Sequence, residues 1–217
     1  MTKGIFITAT GTDVGKTYIC ALIVKKMRNS GYNCGYYKPA LSGAQETGLN
    51  DCEYVLKKAG INLDSKNFVS YLFQPSVSPH LASKIEGTQI KLEKIIEDYN
   101  KIKKDYDYLL VEGAGGIICP FGENLILPDI IKALNLDTII VSSSGLGSIN
   151  SAVLTTEYAK QAGIKVLGII LNNYDENDFM HKDNKIMIEK LTGIKVIATV
   201  SHNAQDINLI NIFQTNS

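Results

Sequence analysis

The 217-residue chain has no surplus of charge: 22 Lys and Arg stand against 22 Asp and Glu, a formal net charge of zero. Without an excess or a basic tail, no overall field draws it to nucleic acid or anionic lipid, so any anion must be bound locally. Long hydrophobic runs are absent too. The apolar stretch of "MTKGIFITAT" is too short for a signal-peptide core or a membrane span and runs straight into a glycine-bearing turn. A soluble, cytoplasmic protein is expected. Cys20, Cys34, Cys52 and Cys119 show no C-x-x-C spacing and no matching histidines, which argues against zinc and for reduced, buried thiols. Repeats, low-complexity tracts and long linkers are missing, and the length and 45% hydrophobic content suit a single domain over 1–217.

What is present is a regular alternation. Unbroken apolar runs at 4–9, 108–112, 138–143, 166–171 and 195–200 read as strands covered on both faces. "CGYYKP" (34–39) adds another, ended by Pro39. Helical stretches fall at 16–29, 50–59, 89–103, 128–134, 148–162 and 179–191. Strand and helix in turn predict an α/β three-layer sandwich around a mainly parallel sheet. Ligands of such sheets gather at the carboxyl ends of strands, and residues 38–50, the longest polar loop there, form a candidate substrate loop.

"ATGTDVGKT" (9–17) joins the first strand to the first helix. A phosphate cradle needs glycine at the tight turn, inward N–H groups, a lysine for the outer phosphates and a hydroxyl for magnesium. Gly15, Lys16 and Thr17 supply these in the P-loop order, although G-x-x-x-x-G-K-[ST] would place its first glycine where Thr10 stands. G-x-G-x-x-G is not met, which argues against a nicotinamide site. The early extra lysine of dimeric switch ATPases, of the partitioning and electron-transfer kind, would fall at Gly11.

"YDYLLVEGAGG" (106–116) delivers Glu112 to a strand end ahead of Gly113, Ala114 and Gly115, where a carboxylate can hold phosphate-bridging magnesium. Lys38 in "YYKPALSG", followed by Ser42, could stabilise charge on a transferred phosphoryl group. In "SSSGLGSIN", the helix start at Gly147, Ser148, Ile149 and Asn150 either binds a carboxylate through exposed N–H groups or is capped by its own side chains.

In this order and at these intervals, "GTDVGKT", "YYKPALSG", "SPHLASKIEG", "VEGAGG" and "GLGSINSAVLT" closely resemble the dethiobiotin synthetase family over residues 4 to about 173. The resemblance implies a P-loop homodimer that uses ATP, Mg2+ and CO2 to close a ureido ring on 7,8-diaminononanoate through a carbamate and its phosphoric anhydride. It implies Asp13, Val14, Gly15, Lys16, Thr17, Tyr18, Asp51, Glu112, Gly113, Ala114, Gly115, Asn172 and Asn173 for the nucleotide. Thr17, Asp51 and Glu112 would hold the metal, and Lys38 and Lys16 would be catalytic. Thr12, Lys38, Ser42 and Gly115 would meet the diamine, whose carboxylate would lie on Gly147 to Asn150 of the partner subunit. His80 would shape the loop after Pro79.

The chain departs from that pattern at Ala9, where the family's loop has glycine, and at Asp13, where glutamate is usual. "TVSHNAQDINLINIF" replaces the usual proline-containing segment after the last strand, which leaves nucleotide preference open. Competing readings are a P-loop amide-forming synthetase, which here lacks a glutamine-hydrolysing half, and a switch ATPase, which lacks its lysine.

Overall fold

The computed structural model describes residues 2–44 and 50–209. In chain order the elements are β1 (Lys3–Ala9), α1 (Lys16–Asn29), β2 (Cys34–Leu41), α2 (Asp51–Lys58), β3 (Val69–Leu72), α3 (Pro79–Ile85), α4 (Leu92–Ile102), β4 (Tyr108–Glu112), β5 (Pro120–Gly122), β6 (Leu125–Ile126), α5 (Leu127–Leu134), β7 (Asp137–Ser143), α6 (Ser148–Gln161), β8 (Val166–Asn172), α7 (Phe179–Thr192) and β9 (Val196–Val200). Two short 3-10 turns precede β3 and β4.

Seven strands form one sheet in the order β3-β2-β4-β1-β7-β8-β9, every neighbouring pair parallel. The chain leaves β1 for β2 and β4 on one side and later returns to β7 on the other. β1 is therefore the point where winding reverses, the place at which open α/β sheets leave a crevice.

Period-2 alternation sends each central strand into two cores. Ile5, Ile7, Ala9, Tyr36 and Leu110 pack with α1 and α2. Phe6, Tyr37, Leu109 and Val111 pack with α4 and α5. Ile140, Ile169 and Leu171 meet α6 and α7. This is the expected P-loop three-layer sandwich.

Four expectations change. β2 does not stop at Pro39 but continues to Leu41. Its pairing with β4 ends at Tyr37↔Val111, whereas β3 carries it onward through Lys38, Ala40 and Leu41, leaving Pro39 without a register partner whose bond it could break. The stretch "SPHLASKI" is α3, with Ser78 as N-cap and Pro79 in the first turn, so His80 sits in a helix rather than a loop. The long expected helix at 89–103 begins only at Leu92. Of the candidate substrate loop, 38–41 is strand and 45–49 lie outside the described residues, as do 210–217.

Gly168 in β8 leaves no room for a side chain, because a Cβ there would stand 2.4 Å from Ile197 Cγ2 of β9. Gly168→Ala should lower unfolding stability by about 1–3 kcal/mol, the usual cost of overpacking. Urea denaturation checks this, and an unchanged midpoint would show that Ile197 swings aside freely.

Candidate functional site

The chain turns from β1 into α1 through two left-handed residues, Asp13 at φ 60° and Gly15 at φ 91°. Gly15 is required twice over, since an added Cβ would also lie 2.2 Å from the Asn172 amide nitrogen. That amide donates to the Val14 carbonyl at 2.9 Å, so Asn172, 3% exposed at the end of β8, fastens the loop from behind. α1 starts at Lys16 with no side-chain cap, which leaves its first N–H groups for a ligand anion. Lys16 is buried and its ammonium donates to Gly11 O at 3.3 Å.

Beside this loop lies a charged centre whose position follows from strand register. Tyr36 pairs with Leu110 and Glu112 with Ile7. Two residues further along β2, Lys38 therefore emerges on the same side as Glu112, and α1 brings Thr17 over both. Glu112 is fully buried. Its Oε1 accepts from the Thr17 hydroxyl at 2.7 Å and from Lys38 Nζ at 2.7 Å. Its Oε2 accepts from the Tyr36 hydroxyl, also at 2.7 Å. Lys38 Nζ donates in addition to Asp51 Oδ2, the first residue of α2. That helix is set by a capping box in which Asn50 accepts from Glu53 N and the Glu53 carboxylate accepts from Asn50 N.

Thr17, Lys38, Asp51 and Glu112 line a cavity of about 430 Å3 together with Thr12, Asp13, Gly15, Lys16, Ser42, Ala114 and Gly115. The same wall contains Ser76, Val77, Ser78, Pro79 and Cys119, which the sequence reading did not select. The Ser42 hydroxyl donates to Val77 O at 2.6 Å, tying the exit of β2 to that loop. A larger cleft of about 580 Å3, lined by His80, Lys84 and Lys91 among others, holds none of the P-loop or the charged centre.

Other expected residues lie apart from the cavity wall. The Gly113 N–H is already given to Ile7 O at 2.9 Å, and its missing Cβ makes room for Leu127 and Phe6, so Gly113 serves packing rather than presenting an N–H to phosphate. Tyr18 points away, donating to Ala204 O. Asn173, at φ 55°, sets its side-chain oxygen 3.2 Å from His202 Nδ1 and accepts from the Ser144 hydroxyl on its carbonyl. Gly147 is the N-cap of α6, in left-handed conformation, and no side chain caps that helix. Of the two readings of this start, self-capping by Ser148 or Asn150 is therefore set aside; Ser148 Oγ is buried without a partner among the described residues.

A family model described as an AAA domain matches residues 3–208. An ATP-dependent dethiobiotin synthetase of Clostridium botulinum (strain Alaska E43 / Type E3) is 52% identical over 203 residues, covering 90% of this chain and 89% of its own. One from Brachyspira hyodysenteriae is 48% identical over 204 residues, 92% of each. The chain belongs to the ATP-dependent dethiobiotin synthetase family. It is thus an enzyme, a ligase of biotin synthesis. The fold is shared more widely. The MinC:MinD cell division protein complex of Aquifex aeolicus matches with TM-score 0.60 at 17% identity, over 94% of this chain and 83% of that one. A ParA family ATPase from Chlorobium tepidum matches with 0.58 at 15%, over 94% and 86%.

The centre suits a magnesium ion. One hydroxyl and two carboxylates supply hard oxygen donors around one point, where Lys38 now holds the positive charge. Among the described residues no three His, Cys, Asp or Glu side chains form a metal cage of their own, so phosphate oxygens would have to complete the shell. Electrostatics favour the charged forms of Lys38 and Asp51. Burial works against the Lys38 charge, but Glu112 and then Asp51 outweigh it and hold the ammonium above its ordinary value. Burial pulls Lys16 below its ordinary value, with Glu112 opposing. Asp51 is raised by burial and lowered more by Lys38, which leaves it below its ordinary 3.8.

A depressed carboxyl stabilises the fold above its unfolded value, and that contribution is withdrawn as pH falls through the folded value. Urea midpoints of the wild-type chain should therefore drop more steeply below pH 3.8 than those of Asp51→Asn. Parallel pH profiles would mean that Lys38 does not hold Asp51 ionised.

Proposed function

We propose how ATP-dependent dethiobiotin synthesis runs on this chain. One amine of 7,8-diaminononanoate attacks CO2 and loses a proton, giving a carbamate. A carbamate oxygen takes the γ-phosphoryl group of ATP, and ADP departs. The second amine then attacks the carbonyl carbon, phosphate leaves, and the ureido ring closes. The observation that carries this reading is Lys38, buried between Asp51 and Glu112 at the wall of the P-loop cavity.

Residue roles follow from placement. Lys16 and the uncapped first turn of α1 hold the outer phosphates, with Asp13, Val14 and Gly15 setting the loop's shape. Thr17, Asp51 and Glu112 hold Mg2+, which when bound neutralises phosphate charge. Lys38 donates hydrogen bonds to oxygens that gain charge during phosphoryl transfer. Thr12, Ser42, Ala114 and Gly115 bound the space for diamine and carbamate. Asn172 and Asn173 mark the base end. Among the described residues the buried Asn172 Oδ1 has no partner and would suit an exocyclic amine, while Tyr18 braces the segment after β9 at Ala204.

The substrate carboxylate would rest on Gly147, Ser148, Ile149 and Asn150 of a second copy, where α6 leaves its N–H groups free of side-chain caps. A homodimer working as single-domain subunits in the cytoplasm follows from this reading. No helix of the described residues is long and apolar enough to cross a membrane. A switch ATPase is the weaker alternative, because Gly11 stands where that class places its lysine.

Phosphate release with ATP and Mg2+ should require both the diamine and bicarbonate, and Lys38→Ala should reduce it on the order of 100- to 1,000-fold, the scale of losing one preorganised charge stabiliser. Thermal unfolding recorded beside it separates loss of chemistry from loss of fold. Release indifferent to the diamine would turn the reading toward the switch ATPase. Initial rates with GTP and CTP should approach those with ATP if the altered segment after β9 loosens the base site. An exclusive preference for ATP would show that Asn172 and Asn173 suffice.

A further inference from the structure

We propose that Tyr36 is a positioning residue for Glu112, holding that carboxylate in the single orientation in which Oε1 faces the metal and Lys38. The inference rests on the metal-binding reading above. A carboxylate has two oxygens, and an unrestrained one can turn to present either or both. Here the two oxygens have separate employers. Oε1 meets Thr17 and Lys38, the groups that border the cavity. Oε2 points back into the core and accepts from the Tyr36 hydroxyl at 2.7 Å, with both side chains fully buried, and the buried Cys20 thiol is a further hydrogen-bond partner of the carboxylate. Tyr36 lies outside the cavity wall and touches no substrate space.

The geometry is written into the sheet. Tyr36 and Lys38 are two apart on β2, Leu110 and Glu112 two apart on β4, and Tyr36 is registered with Leu110. Both donors thus reach the carboxylate from the neighbouring strand, the Tyr36 hydroxyl from a position two residues earlier along β2 than Lys38. Removing the hydroxyl leaves a charged oxygen buried without its donor, and rotation to recover a bond takes Oε1 out of place.

Tyr37 provides a matched control in the next residue. It is equally buried and its hydroxyl is also bonded, to Ser70 Oγ at 2.6 Å and Ile95 O at 3.2 Å, but it faces the other core and makes no contact with Glu112. Tyr36→Phe and Tyr37→Phe therefore remove the same group from the same strand with different consequences for Glu112.

The experiment is Mn2+ binding in the presence of ADP, followed by electron paramagnetic resonance, on wild type and both variants, with thermal unfolding recorded for each. Tyr36→Phe should bind Mn2+ roughly tenfold more weakly while Tyr37→Phe binds as wild type; the KM for the diamine should hold in both. Wild-type affinity in Tyr36→Phe, or equal weakening in both variants, overturns the proposal. Failure of the wild-type protein itself to bind Mn2+ with ADP overturns the metal reading and the proposal with it. A second arm leaves the hydroxyl in place: 3-fluorotyrosine at position 36 should show a 19F shift on adding Mg2+ and ADP, and at position 37 none. A resonance at position 36 that ignores the metal nucleotide overturns the proposal even where Tyr36→Phe does not fold.

Discussion

A carboxylate with no exposure to water anchors the site, and most of the local architecture can be understood as what it takes to keep Glu112 charged there. Burying one ion without a partner costs several kcal/mol, a large share of a domain's net stability. Lys38 supplies the opposite charge, and Thr17 and Tyr36 occupy further lone pairs. Thr17 arrives on α1, Tyr36 and Lys38 on β2, and Lys38 is shared with Asp51 at the start of α2. The parallel register of β2 against β4, rather than any one loop, is what makes them meet. A one-residue slip would send Tyr36 and Lys38 to the opposite core and leave Glu112 facing apolar side chains.

The P-loop illustrates the complementary cost. Its backbone is drawn into left-handed conformations at Asp13 and Gly15, and α1 begins without a cap. Both features lower stability in isolation. The compensation comes from Asn172, which crosses from the far side of the sheet to bind Val14 O and fill the space beside Gly15. An asparagine expected to read a nucleotide base thus also holds the phosphate loop in shape.

Most of this frame was legible in the residues. Runs such as "GIFITA" and "VLGIIL" are long and apolar, so β1 and β8 could be placed to within one or two residues, and the P-loop spacing fixed Lys16 and Thr17 at the ligand end. β3 was not legible, because "VSYL" is a four-residue edge strand with two half-exposed positions and little apolar signal. β2 was read short since Pro39 seemed a stop, when only the strand order tells that no ladder bond is lost. α3 carried a readable Ser-Pro start that was passed over as loop. Tyr36 could not be picked out: its role depends on register with Leu110, and one sequence does not reveal which strands are neighbours.

The absence of net charge, unhelpful for locating a partner, acquires meaning at the site. Lys16 and Lys38 face Asp51 and Glu112, two positive groups against two negative, so the formal charges of these side chains cancel. A magnesium nucleotide still brings negative charge into this neutral place. Lys38 already answers both carboxylates, which leaves Lys16, whose ammonium donates to Gly11 O, as the side chain for that charge. The backbone adds to it through the uncapped N–H groups of α1 and the macrodipole behind them, which attract anions without adding a formal charge. The same device recurs at α6, where Gly147 leaves a second helix start uncapped. A chain with equal numbers of acids and bases can in this way bind two anionic groups by placing helix ends, and strand register determines where those ends point.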